Sequence, residues 1–215
     1  MELMEPRVYV TNFDIPSSIK IIENLTKIMS VYGGEQPIVI DINSYGGEVA
    51  GLSQIYNKII SMPNPIITYC SGMALSAGCF LFTNCAKPKN RIIAPAAKLM
   101  LHEVQSGTWG DVKDIVADTE FTKELSKTWM EITAKSIGLE SYEDIKKFMR
   151  SKTESHNLFM NSKEAIEYGF AGMIGNVQLS SPSINCEVIV VPPEVEEPEV
   201  IIEEKKKVVK RKKKK

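Results

Sequence analysis

A chain of 215 residues with 43% hydrophobic and 25% charged side chains can hold one sizeable domain and an appended tail, and its composition excludes fibrous and wholly disordered classes. The net charge of -1 hides an asymmetry, because residues 194–204 carry six glutamates and no base while residues 205–215 carry nine Lys/Arg and no acid. Setting both runs aside leaves 21 acids and 17 bases, a body of net charge about -4 that is not by charge alone a nucleic-acid-binding surface.

The chain opens "MELMEPRVYV", with no basic start ahead of an apolar core and so no signal-peptide pattern. "RVYV" (7–10) reads as a short strand, and "SIKIIENLTKIMSVYGG" as a helix with Ile22, Leu25, Met29 and Tyr32 on one face and Gly33 at its end. "PIVIDIN" (37–43) is a continuous apolar run, the pattern of a strand buried on both faces. The next helix, "EVAGLSQIYNKIISM", places Val49, Leu52, Tyr56 and Ile59 at helical spacing. "PIITYC" is the following strand, and "GMALSAGCFLF" (72–82) is read as a buried helix with Ser76 near its start. The longest apolar stretch, residues 66–83, is interrupted by Tyr69, Ser71, Gly72, Ser76 and Gly78, which argues against a membrane span.

"RIIA" and "KLMLHEV" are two further short strands, the second ending in His102. A long polar-rich helix follows Gly110, with Asp111 and Asp114 at its N-terminus. "SYEDIKKFMR" opens with a capping pattern from Ser141 to Asp144, and "NSKEAIEYGF" is a third, short helix ending near Gly169. Repeated strand–helix–strand units predict an α/β domain over residues 1–179 with largely parallel pairing. Residues 180–215, with Pro and blocks of charge, are expected to be a disordered tail. Cys70, Cys79, Cys85 and Cys186 show neither CxxC spacing nor partner histidines, so no metal or cofactor is expected and the thiols fit a reducing cytoplasm.

A serine in an apolar run is most often a small residue bonded to a nearby carbonyl. Three features point further. "INSYGGEV" (42–49) ends a buried strand in two glycines, which lets backbone N–H groups approach a ligand, although for a lone Gly-Gly a tight strand-to-helix turn is the better reading. Ser76 stands at a helix N-terminus, where free N–H groups favour an oxyanion. His102, one of two histidines, ends the strand after the serine helix. Serine needs a base to accept its proton, and the base needs a third group to orient it; candidates lie in "TESHNLF" (153–159). "ALSAG" at 74–78 is not GxSxG, which disfavours an α/β-hydrolase.

"INSYGGEV", "GMALSAGCFLF", "KLMLHEVQSGTWGDVKDI" and "FMNSKEAIEYGF", in this order from about Arg7 to Ile174, together resemble the proteolytic subunit of the Clp protease family. The resemblance implies a Clp/crotonase-type spiral of ββα units whose protruding helical arm is the helix after Gly110. It implies Ser76 as nucleophile, His102 as general base, and the Gly47 and Ala77 N–H groups as an oxyanion hole. It also implies that an extended polypeptide substrate pairs with a strand "VQSGTWG", along Gly46 and Gly107, inside a stacked-ring homo-oligomer.

Four departures qualify this. Asn157 stands where the family has Asp; its amide oxygen can orient a histidine but brings no charge, so a slower enzyme is expected, with Glu154 or His156 as substitutes if the loop register slips. Tyr45 replaces a proline before the glycine pair. Only six residues precede "RVYV", which weakens the case for an AAA+ unfoldase partner and matches phage-type variants. The acidic-then-basic tail is foreign to the family; scaffold or nucleic-acid contact is one reading of it, a solvated tail the other. The leading expectation is a cytoplasmic, ClpP-like serine endopeptidase. A catalytically silent structural subunit is the alternative, and a crotonase-like acyl-CoA enzyme, which needs no serine–histidine pair, comes third.

Overall fold

The computed structural model describes residues 5–180 and 187–193. The first units are β1 (Arg7–Val10), α1 (Ile15–Tyr32), β2 (Ile38–Ser44), α2 (Val49–Ile60) and β3 (Ile66–Leu75). Then come α3 (Ala77–Asn84), a 3-10 turn (Pro88–Asn90), β4 (Arg91–Ile93) and β5 (Lys98–Leu101). The chain continues through α4 (Val112–Ser136), α5 (Tyr142–Lys152), β6 (Leu158–Asn161), α6 (Ser162–Glu167), β7 (Met173–Ile174), β8 (Asn176–Leu179) and β9 (Val188–Val191). The main sheet runs parallel in the order β1-β2-β3-β4-β7, with β5 parallel to β3 and β6 antiparallel to β5. This is the mostly parallel α/β architecture expected. No described helix is long and apolar enough to cross a membrane.

β2 is the buried centre, with Ile38, Val39, Ile40 and Ile42 all inaccessible to solvent. Asp41 sits in the same strand, 4% exposed, and pairs with Arg7 of β1 at 3.5 Å. Burial raises the Asp41 carboxyl above its ordinary value, against smaller opposing effects from Ser71 and Arg7. The Arg7 guanidinium also donates to the Val177 carbonyl at 3.0 Å, which fastens β8 over this face.

Apart from α3, the helices are where the sequence places them, but two buried stripes are rotated. α1 buries Ser18, Ile21, Leu25 and Ile28, while Ile22, Met29 and Tyr32 flank that stripe. Ser18 can face inward because its hydroxyl donates to the Asp14 carbonyl at 2.8 Å, and the stripe, which keeps Leu25, is turned by roughly 40°. α2 buries Gly51, Leu52, Ile55 and Ile59. A side chain at 51 would come within 1.9 Å of the Phe13 carbonyl oxygen, so glycine there lets α2 press against the loop before α1. Tyr56 moves to the flank, edge-on to Trp129 with ring centroids 5.1 Å apart.

Arg91 is 3% exposed and meets no carboxylate in the described residues. Its guanidinium donates to the Ala86, Ser136 and Gly169 carbonyls at 3.0, 2.9 and 3.2 Å. Ser136 is the last residue of α4, so the cation also sits at the negative end of that helix. Burial lowers its pKa to about 10, which still leaves it charged at neutral pH.

Two expectations require correction. β3 does not stop at Cys70 but runs on to Leu75, so "GMAL" is strand and the helix begins only at Ala77. Residues 180–215 are not uniformly without structure, since Val188–Val191 pairs antiparallel with Asn176–Leu179. The apolar run "VIVV" is too short to signal a strand alone; the partner strand defines it. The charged remainder, 194–215, and Cys186 lie outside the described residues.

Candidate active site

β3 is bent on its way to Ser76. Its pairing with β2 jumps from Ile42↔Cys70 to Ser44↔Ala74, so β3 accommodates two more residues than β2 across the same span. Asn43 fills the irregularity: its Oδ1 accepts the Met73 N–H at 3.1 Å and would lie 2.6 Å from any Cβ at Gly72. The first half of β3 (Thr68–Cys70) pairs with β4 and the second half (Met73–Leu75) with β5, which carries the strand out of the main layer.

Ser76 follows as the one described non-glycine residue with positive φ, at φ 54° and ψ -118°. Its N–H donates to the Met100 carbonyl of β5 at 2.9 Å, and its carbonyl accepts the Phe80 N–H at 3.1 Å to open α3. The side chain does not cap that helix. It borders a cavity of about 230 Å³ that Gly47, Ala77, His102, Val49 and Val104 also line. Serine in this position is therefore not the helix-capping residue that its place before α3 would suggest.

The glycine pair belongs to the same turn. Gly46 has φ 105°, and a Cβ there would fall 2.8 Å from the Ser76 Cβ and 2.9 Å from the Leu75 carbonyl oxygen. Ser44 holds this loop by accepting the Gly46 N–H at 3.1 Å. A Cβ on Gly47 would meet Phe13 at 2.9 Å, so the loop is closed from behind as well. Asn43 and Ser44 were not singled out in the sequence; the signal was two polar residues ending an otherwise apolar strand.

His102 directly follows β5, whose Met100 pairs with Leu75. Its Nδ1 is buried and has no hydrogen-bond partner. The antiparallel register of β5 with β6, ending at Leu101↔Leu158, makes Asn157 the next residue opposite His102. Asn157 is half-buried, and its N–H donates to the Ser155 hydroxyl at 3.1 Å. Glu154 and His156 instead line a separate cleft of about 240 Å³ with Glu103, Lys146 and Arg150. The structure thus gathers Ser76, His102, Gly47 and Ala77 around one cavity, sets Gly46 against the serine turn, and leaves Asn157 adjacent in register without a bond to the ring.

Gly107 lies in a second groove, of about 260 Å³, which shares Val49, Val104 and Gln105 with the first. The expected strand over residues 104–110 is absent: this segment has no strand partner among the described residues. The nearby thiols are poor nucleophiles, because burial pushes Cys70 and Cys79 up to about 12.

A hydroxyl on a sharp strand-to-helix turn, an imidazole on the same cavity and backbone opened by glycine are parts of the kind that acyl transfer uses. The model of the Clp protease family, described as "Clp protease", matches residues 8–178, and the chain belongs to that family, one of peptidases. The chain is also 29% identical over 147 residues to the ATP-dependent Clp protease proteolytic subunit 1 of Leifsonia xyli subsp. xyli (strain CTCB07), a match covering 68% of this chain and 71% of that protein.

Proposed function

We propose that this protein is a serine endopeptidase of the Ser-His-Asn type. Ser76 Oγ attacks the scissile carbonyl carbon while His102 takes its proton, and the resulting oxyanion is received by the N–H groups of Gly47 and Ala77. His102 then returns the proton to the leaving amine as the C–N bond breaks, and water hydrolyses the acyl-enzyme by the same route. Asn157 orients the imidazole through its amide oxygen. The observation that carries the reading is the strained turn at Ser76 opening onto a cavity that His102 shares.

The polypeptide substrate lies along Gly46 and Gly107 as an extended chain, and the working form is a ring-shaped homo-oligomer in the cytoplasm. Val112, Ile115 and Val116 on the protruding half of α4 are 77%, 37% and 50% exposed, an apolar face that supports packing between subunits. The relative's name describes an ATP-dependent proteolytic subunit, which supports an AAA+ unfoldase as the partner class. The Lys-rich tail, by its charge, suits contact with a scaffold or nucleic acid.

The test is labelling of the assembled protein with a fluorophosphonate probe, mapped by mass spectrometry, beside Ser76→Ala and His102→Ala. Label on Ser76 that is lost in both variants is the expected result. The uncharged Asn157 favours a second reading, a silent structural subunit, and absence of label in a verified oligomer would select it.

A further inference from the structure

Residues 104–108 run beside α4, and three hydrogen bonds join the two. The Val104 N–H donates to Ser126 Oγ at 3.2 Å, the hydroxyls of Ser106 and Thr122 meet at 2.9 Å, and Thr108 Oγ1 donates to Asp118 Oδ2 at 2.5 Å. The partners advance by two along the segment and retreat by four along the helix. Four helical residues rise about 6 Å, and two residues of extended chain span roughly 6.6–6.8 Å. The two repeats match only if the segment is extended and antiparallel to α4. It is thus strand-like in geometry while lacking a strand partner, and no backbone–backbone hydrogen bond of residues 104–108 occurs among the described residues.

We propose that Asp118, Thr122 and Ser126 are positioning residues, a polar clamp that holds residues 104–108 extended so that their free peptide groups form the edge on which a polypeptide substrate pairs. The proposal rests on the peptidase reading above. Backbone pairing of this kind recognises an extended chain with little regard to its side chains, and it works only if the receiving edge is already straight. Without the clamp, a solvated loop holding Gly107, whose surroundings are empty within 4 Å, samples many conformations. The clamp is separable from the fold. α4 is anchored through its second half, where Trp129, Met130, Thr133 and Ala134 are buried, whereas the Ser106–Thr122 and Thr108–Asp118 bonds are exposed. It is also separable from the chemistry, since Ser76 is set by β3, β5 and the Gly46 loop.

The experiment compares the unaltered oligomer with Thr122→Val/Asp118→Ala and with Thr122→Ser, which keeps the hydroxyl. A small fluorophosphonate probe reads the Ser76–His102 chemistry, and a peptide substrate of eight or so residues reads pairing. Two lost bonds, each typically worth about twofold to tenfold, predict a fall in kcat/KM for the peptide of about tenfold, mostly in KM, with the probe rate within about twofold. Thr122→Ser should behave as the unaltered protein. Unchanged peptide hydrolysis in the double variant, or probe and peptide rates that fall together, would overturn the clamp. If the unaltered protein takes no label, the peptidase reading fails by itself. Amide exchange at residues 104–108 in the same samples then decides the clamp: faster in the double variant supports it, and equal rates overturn it.

Discussion

Replacing Asn157 with Asp tests the site most directly, because continuing the β5–β6 register one step past Leu101↔Leu158 sets residue 157 opposite His102, and the imidazole Nδ1 has no partner. Directly opposed residues in an antiparallel pair have Cα atoms about 4.5–5.5 Å apart, within reach of a carboxylate–imidazole hydrogen bond. Two unit charges about 4 Å apart at an effective dielectric near 20 attract by about 4 kcal/mol, and the half-exposed position of residue 157 reduces that to about 1–3 kcal/mol. In the proposed mechanism the imidazolium forms as Ser76 gives up its proton, so this attraction acts on the transition state. Asn157→Asp should therefore accelerate acylation of Ser76 by about 10- to 100-fold. Asn157→Ala, which leaves the ring unguided, should slow it.

The assay is the second-order rate of fluorophosphonate labelling of the assembled protein, with subunit association checked in each variant. A rate for Asn157→Asp equal to or below that of the unaltered protein would refute the reasoning, because it would mean that residue 157 does not approach Nδ1. Acceleration by aspartate placed at 154 or 156 instead would show that the register slips and that another residue occupies this place.

Other consequences follow from particular contacts. Gly46→Ala puts a methyl 2.8 Å from the Ser76 Cβ at a φ of 105°, so labelling of Ser76 should fall by about 100-fold while the fold persists; a rate within twofold would show that the turn yields freely. Arg91→Met leaves three part-buried carbonyls without their donor and should cost about 2–4 kcal/mol in chemical denaturation, and a loss below about 1 kcal/mol would mean that the guanidinium holds nothing together. Asp41 has a carboxyl raised by burial, so between its unfolded value of 3.8 and the higher folded value the native state holds a proton that the unfolded chain has lost. Its contribution to stability thus falls as pH rises through that window and is level above it; thermal melts of Asp41→Asn against the unaltered protein should lack this step, and parallel pH curves would refute it.

What was legible in the sequence is what local rules decide. Asp111 and Ser141 cap α4 and α5 as their positions predict, because an N-cap depends on residues two or three places on. The apolar run of β2 is buried on both faces as read. The failures lie where a distant partner sets the conformation. The irregularity in β3 depends on Asn43 from another strand, and β6 is four residues, "LFMN", made a strand by pairing with β5. The rotated stripe of α1 depends on a serine that satisfies its hydroxyl within its own turn. The polar clamp left a trace, hydroxyls at 106 and 108 followed by polar residues at 118, 122 and 126, but it has meaning only once the segment is laid along the helix.

The serine in its apolar run is explained by two costs that converge on one cavity. A non-glycine residue at φ 54° and ψ -118° is strained by about 1–3 kcal/mol and persists only where its surroundings leave no alternative. Here the Met100 carbonyl, the Gly46 backbone and the buried α3 fix it from three sides. A buried ring nitrogen without a partner costs about 1–3 kcal/mol more, and it belongs to His102, on a different element but lining the same cavity of about 230 Å³. A scaffold gains nothing from either: glycine at 76 would relax the turn, and an apolar side chain at 102 would remove the orphaned nitrogen. A peptidase needs both, a hydroxyl thrust out of the backbone path and an imidazole kept dry enough for one partner to set its tautomer. The strain and the orphaned nitrogen are therefore what argue for catalysis over architecture.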